Sequence, residues 1–284
     1  MNAGAGILLV KDIWNAYGET LLDLIKDAMR NNDFDLVRGI QSFDVSVWTG
    51  LHGVEEIIST LLSLTIDMRG GMKKEAEELR RKLRENEEHY KKLGTYDALR
   101  KRLERLEGRW IYLPTLKASC RGLKNLLRQL IILRDMGFIE IEGTDFEHAN
   151  VRLSPLWDRV VEEIANRGYE THVFGSAIGR MIALGIEGKG FRQLKPIFMA
   201  LNTAEKNNNE ISMDELRKKY QLANLPYRHL AGMIKRDNKK HADIRLFAYY
   251  DDKRAVFMPH AIRAYVMWRE RANIRVREWR IPRA

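Results

Sequence analysis

Cations set at helical spacing are the residues of this sequence best suited to chemistry. Lys117, Arg121, Lys124 and Arg128 recur at spacings of 4, 3 and 4. A second group, Arg228, His229, Lys235, Arg236, Lys239 and Lys240, is followed by Lys253 and Arg254. Amines and guanidinium groups clustered in this way neutralise phosphates and displace their condensed counterions. The charge balance along the chain points the same way. From Arg217 to Ala284 there are 18 Lys/Arg against 6 Asp/Glu, a balance of +12, whereas residues 1–216 hold 31 against 33. The last quarter alone thus exceeds the whole formal charge of +10, as a polyanion-binding module on a near-neutral body would.

Groups that could do covalent or metal chemistry do not assemble into a known pattern. The histidines, His52, His89, His148, His172, His229, His241 and His260, form no i, i+4 pair, the spacing that sets two ligands on one helix face. Cys120 is the single cysteine, so neither a disulfide framework nor a thiolate cluster can form. Gly185-Ile-Glu-Gly-Lys-Gly190 lacks the Gly-Lys-Ser/Thr ending of a phosphate loop. Ser176 lies in Gly-Ser-Ala rather than in a Gly-x-Ser-x-Gly elbow. The acid pairs Glu55-Glu56 and Glu162-Glu163 fall on helical stretches with no obvious cleft. The sequence therefore predicts a binding protein without cofactor or metal, not an enzyme.

The elements that must carry the cations follow from periodicity. Residues 7–69 hold 5 bases and 10 acids, and Ile7, Val10, Ile13, Trp14, Tyr17, Leu21, Leu24, Ile25 and Ala28 recur as one helix face before Asn31-Asn32. This predicts an acidic helical N-terminal domain. Past Gly70-Gly71, Met72, Ala76, Leu79, Leu83, Asn86, Tyr90 and Leu93 alternate at spacings of 4 and 3, a heptad seam flanked by Lys, Arg and Glu. Residues 72–106 therefore predict self-association through a coiled coil. The alternative is a single solvated helix packed on its own domain, because three heptads are marginal for a free coiled coil.

Between 108 and 168 the run Leu123–Leu126, Leu130, Leu133, Gly137-Phe138-Ile139-Glu140-Ile141 leads to Asn150-Val-Arg-Leu-Ser-Pro-Leu-Trp157. Gly137 suits a helix end that needs positive φ. Phe138–Ile141 and Val151–Leu153 alternate as half-buried strands. Ser154-Pro155 provides an N-cap and an N1 proline for a helix over Leu156–Asn166. This stretch resembles the end of a MarR-like winged helix: recognition helix, two-stranded wing, then V-x-L-[ST] into a further helix. If the recognition helix extends back to Lys117, then Lys117, Arg121, Lys124 and Arg128 share one of its faces, where the resemblance implies DNA contact. Glu140, Glu142, Asp145 and Glu147 crowd the wing where relatives commonly place Arg or Lys, and carboxylates near a phosphate backbone weaken binding. The first module is therefore expected to be an auxiliary DNA contact or to face a protein partner.

Residues 190–272 repeat the theme. Phe191–Ala204 is amphipathic with Leu194, Ile197, Phe198 and Leu201 inward. Ile211–Leu216 resembles a short first strand running into a helix, with Ser212 and Glu215 as a capping box. Pro226–Asp237 is the expected recognition helix, followed by strands over Ile244–Tyr250 and Arg254–Met258 and a helix from Pro259 to about Arg271. The order helix, strand, helix, turn, helix, strand, strand, helix is that of a winged helix. The arginines of the tail, Arg269 to Arg283, are candidates for gripping a nucleic-acid backbone or for tying the tail to the protein.

The expected fold is mainly α, with α+β winged helices. It divides into a helical domain (1–70), a long helix or coiled coil (71–107), a first winged helix (108–168), a connector (169–189), a second winged helix (190–272) and a basic tail (273–284). The expected function is a dimeric, sequence-specific binder of double-stranded DNA, acting in transcription regulation, replication or partition. The rival expectation is a tandem winged-helix adaptor between proteins. With 31% charged residues, six prolines and one cysteine, the composition suggests a thermophile's protein. The start, Met1–Gly6, lacks a signal peptide's basic and apolar regions, and no apolar run could span a bilayer. The expected location is the cytoplasm, in association with the nucleoid, with no membrane contact.

Overall fold

The computed structural model describes residues 10–46, 52–120, 122–143, 145, 148–168, 171–187, 191–215 and 234–280. The fold is mainly helical, with two three-stranded antiparallel sheets among these residues. The chain divides into two compact units: Met1–Glu55 with Ala177–Ala284, and Glu56–Ser176. None of the described helices is long and apolar enough to cross a membrane.

In the second unit, α3 (His52–Glu85) enters from the first unit and is followed by α4 (Glu87–Lys92) and α5 (Tyr96–Glu107). The boundary expected at Gly70-Gly71 falls inside α3. Each glycine costs a helix only about 1 kcal/mol relative to alanine, too little to break one with apolar residues on both sides. A left-handed Gly94 (φ 67°) and a bond from Thr95 N–H to Tyr90 O close α4 and turn the chain. Arg80 then pairs with Glu107 and Arg102 with Glu75, linking α5 to α3. The heptad seam is covered within the chain: Ala76, Leu79 and Leu83 are buried, whereas Asn86 and Leu93 are exposed.

The same unit continues with β1 (Ile111–Tyr112), α6 (Leu113–Ser119), α7 (Leu126–Asp135), β2 (Ile139–Glu142), β3 (Asn150–Leu153) and α8 (Asp158–Arg167). Strand β1 went unforeseen because two residues give no periodicity to read. The recognition helix does not extend back from Arg128 to Lys117, which lie on two separate helices. Gly122 (φ 93°) and Asn125 (φ 67°) adopt left-handed conformations that a continuous α-helix does not permit. Ser154 makes no side-chain cap bond, because Pro155–Trp157 forms a 3-10 turn ahead of α8. Leu116, Leu130, Leu133, Phe138, Val151 and Trp157 form the core, and Trp157 Nε1 donates to Phe138 O at 2.9 Å.

In the first unit, α1 (Val10–Arg30) and α2 (Phe34–Ser42) pack with the long C-terminal helix rather than forming a separate domain. A 3-10 turn, Phe43–Ser46, ends α2. Helix α9 (Thr171–Glu187) occupies most of the expected connector and leads into α10 (Phe191–Lys206). Then come β4 (Glu210–Ser212), a helical stretch at 234–237, β5 (Phe247–Tyr250), β6 (Arg254–Phe257) and α11 (Pro259–Arg280), which runs through the expected boundary at 272. An aromatic cluster fills the centre. Trp268 is 1% exposed, meets Phe198 edge-on at 5.0 Å and donates from Nε1 to Tyr17 O at 2.9 Å.

The described strands within 96–167 and 191–280 share one sheet topology. Their sheet orders are β1-β3-β2 and β4-β6-β5. Ile111 pairs with Val151 and Ile139 with Leu153; Ile211 pairs with Ala255 and Phe247 with Phe257. Even the joining hydrogen bonds correspond. Leu113 N–H donates to Ala149 O as Met213 N–H does to Lys253 O, and Ser154 N–H to Phe138 O as Met258 N–H does to Leu246 O. These are the first and second modules below.

Candidate nucleic-acid interface

In the second module the cations divide by exposure. Lys235 and Lys239 are exposed and make no side-chain hydrogen bond or ion pair among the described residues. Arg236 and Lys240, one position further on and likewise four apart, are half-buried. Lys240 Nζ donates to the carbonyls of Gln41 and Ser42, both at 3.1 Å. These are the last carbonyls of α2, where the helix dipole favours a cation. Burial pushes the Lys240 ammonium below its ordinary pKa, with Asp44 and Asp237 opposing. Burial also lowers Arg236, which lies within electrostatic reach of Asp44. Asp44 and Glu55 are both held by Arg180, at 2.7 Å from Nη2 and 2.6 Å from Nη1 respectively.

Asp237 is the acid within this basic run, and it is 1% exposed. Its carboxylate accepts the N–H groups of Leu246 at 2.7 Å and Phe247 at 3.1 Å, joining the helical stretch to the start of β5. Burial raises its pKa, outweighing those two hydrogen bonds. The folded state thus retains the proton more strongly than the unfolded chain, whose carboxyl titrates near 3.8. Asp237 should therefore contribute stability that declines as pH rises from that value through the raised one. Denaturant unfolding between pH 4 and 7 should show Asp237→Asn flattening this slope; an unchanged profile would contradict it.

At the tip of the β5–β6 hairpin, Asp251 accepts the N–H groups of Lys253 and Arg254, both at 2.7 Å, and the Tyr249 hydroxyl at 2.8 Å. The Arg254 N–H, then that of Lys253, holds this carboxyl below its ordinary pKa. Lys253 is exposed and its ammonium has no partner among the described residues. Arg254 lies over the Tyr249 ring, 5.4 Å from its centroid, and pairs with Glu210 at 3.2 Å. Tyr249 (48% exposed) and Asn238, bonded to the Tyr250 hydroxyl at 2.7 Å, join the surface although no sequence motif marked them. Ser212 accepts the Glu215 N–H at 3.0 Å, as a capping serine does. Arg228 and His229 lie outside the described residues, as does Arg121.

In the first module Lys117 sits on α6, Lys124 in the turn and Arg128 on α7. All three are exposed without side-chain partners among the described residues. On the β2–β3 hairpin, Glu140 is neutralised by Arg152 (2.7 Å from Nε), which also donates to Gly108 O and lies 4.3 Å over Trp110. Glu142 remains exposed, Asp145 meets His148 at 2.7 Å, and Glu147 lies outside the described residues.

Four arginines of α11 are engaged within the first unit, whereas Arg277 is exposed. Arg263 pairs with Asp33 at 2.6 Å, Arg271 with Asp27 at 2.7 Å, and Arg275 with Asp23 at 2.7 Å and Glu19 at 3.1 Å. Arg269 holds Glu205. The Arg263 guanidinium beside Asp33 keeps its carboxyl below the ordinary value. The acids of α1 and α2 therefore answer much of the positive excess in the last quarter. Part-exposed pairs of this kind each contribute under about 1 kcal/mol. The double variant Arg271→Gln, Arg275→Gln should lower the melting temperature by roughly 2–6 °C and leave the salt dependence of any DNA binding unchanged. A flatter salt dependence would show that these arginines reach phosphate.

Among the described residues no group of three or more His, Cys, Asp or Glu could hold a metal ion. No protein-family model, no curated protein and no solved structure matches this chain.

Proposed function

We propose that this chain is a sequence-specific binder of double-stranded DNA, a transcription regulator or a replication or partition factor acting on the nucleoid in the cytoplasm. It is a binding protein, not an enzyme, and its two modules are winged helices. The element order and the sheet orders β1-β3-β2 and β4-β6-β5 support that reading of the fold. The observation that carries the function is the outward set Lys235, Lys239 and Lys253. Lys235 lies on the helical stretch at 234–237, Lys239 in the turn after it and Lys253 at the hairpin tip of the same module, all free of ion pairs among the described residues. Selection from a pool of random duplexes tests it. Enrichment of a shared motif is expected, and a pool left random after several rounds would remove sequence specificity.

A second reading is favoured by the β2–β3 hairpin of the first module, where Glu142 and Asp145 remain exposed. That surface suits a basic protein partner better than DNA, and would make the chain an adaptor. Self-association through 72–106 could not use Ala76, Leu79 and Leu83, which are already covered, and would fall to the exposed end of the seam at Asn86 and Leu93 or to surface outside it. Sedimentation at micromolar concentration decides this, a monomer removing the dimer from the reading.

A further inference from the structure

We propose that Asp237 and Lys240 are positioning residues, which fasten the segment carrying Lys235 and Lys239 in the pose that a DNA duplex meets, and that Lys240 itself does not touch the duplex. This inference rests on the DNA reading above. By sequence alone, Lys235, Arg236, Lys239 and Lys240 are interchangeable members of one basic run. In the fold they are not: Lys235 and Lys239 project outward, whereas Lys240 is committed to two carbonyls at the end of α2. Three residues before it, Asp237 is committed to two N–H groups leading into β5. A buried carboxylate and a half-buried ammonium thus anchor the same turn, one to the strand whose hairpin carries Lys253 and the other to α2.

An apolar residue at either position would loosen the turn, because α2 would end in carbonyls that lose their donor or β5 would begin with unmet N–H groups. Base-edge hydrogen bonds tolerate little displacement. Loosening this turn should therefore harm discrimination between sequences more than general attraction to phosphate.

The test compares Lys239→Met, Lys240→Met, Lys240→Arg and Asp237→Asn in the full chain. Each is titrated across a salt series with the duplex enriched by selection and with a random duplex. Amide exchange at Leu246 and Phe247 is followed in the free protein. Lys239→Met should reduce the log–log salt slope by about one, the loss of one phosphate contact. Lys240→Met should leave the slope unchanged and cut the ratio of specific to random binding about tenfold, which corresponds to about 1.4 kcal/mol. Lys240→Arg retains the charge and a donor, so it keeps the test open where Lys240→Met does not fold, and it should show the same pattern. Asp237→Asn should speed exchange at Leu246 and Phe247 and lower the ratio.

A slope that falls in Lys240→Met as it does in Lys239→Met would make Lys240 a contact and overturn the proposal. So would a lowered melting temperature with slope and ratio unchanged, which would make its role merely structural. Unchanged exchange in Asp237→Asn overturns the fastening without reference to DNA. Absence of salt-dependent binding by the unsubstituted chain overturns the DNA reading, and the positioning role falls with it.

Discussion

Reversing Lys235 and Lys239 to glutamate should weaken duplex binding by about 2–4 kcal/mol, roughly 30- to 1,000-fold. Both side chains are exposed and unpaired among the described residues, so each glutamate replaces a free cation with a free anion. The salt slope should fall by about two. The matched reversal Lys124→Glu, Arg128→Glu in the first module should cost less. Its hairpin already presents Glu142 and Asp145, which oppose close approach to phosphate. Titration of both variants at one salt concentration checks the ordering. Equal losses would mean that both modules read DNA, and a larger loss at Lys124 and Arg128 would invert the assignment.

Gly39→Ala should destabilise the first unit by about 3 kcal/mol, through overpacking of α2 against α11. A Cβ at position 39 would lie 2.1 Å from His260 O and 2.7 Å from Ala264 Cβ. The nearer atom is backbone, so relief requires moving α11 rather than a flexible side chain. Alanine gains about 1 kcal/mol of helix propensity over glycine, which is too little to offset a clash of this size. At about 2–4 °C per kcal/mol, the melting temperature should drop by roughly 6–12 °C. The shift would be read by thermal unfolding monitored by circular dichroism. A gain in stability would show that α2 and α11 do not approach this closely.

Much of the fold was legible where burial enforces a period. The strands near 139–142, 150–153, 247–250 and 254–257, helix α10 with Leu194, Ile197 and Leu201 inward, and the Ser212 cap all fall close to their expected places. What failed to show was long-range. The heptad residues Ala76, Leu79 and Leu83 read alike whether another chain or this one covers them, and Gly94-Thr95 shows in the sequence only as a break in the heptads, not as the turn that returns α5 towards α3. The acidic N-terminal helices read as a separate domain because nothing local links Asp27 to Arg271 or Asp23 to Arg275 across some 250 residues. Net charge misled for the same reason, since a count of cations does not distinguish Arg275, held by two carboxylates, from Lys239, which faces water. At the interface the sequence placed Lys239 and Lys240 alike, between the expected recognition helix and the strand that follows it. Only the position of α2 shows that one of them turns inward.

The central claim is tested most directly by titrating the intact chain with a random-sequence duplex at several salt concentrations. Contacts from Lys235, Lys239 and Lys253 alone predict a log–log slope of about −3, and engagement of Lys117, Lys124 and Arg128 would steepen it towards about −5. Absence of measurable binding at low salt, or affinity that does not change with salt, would contradict the account.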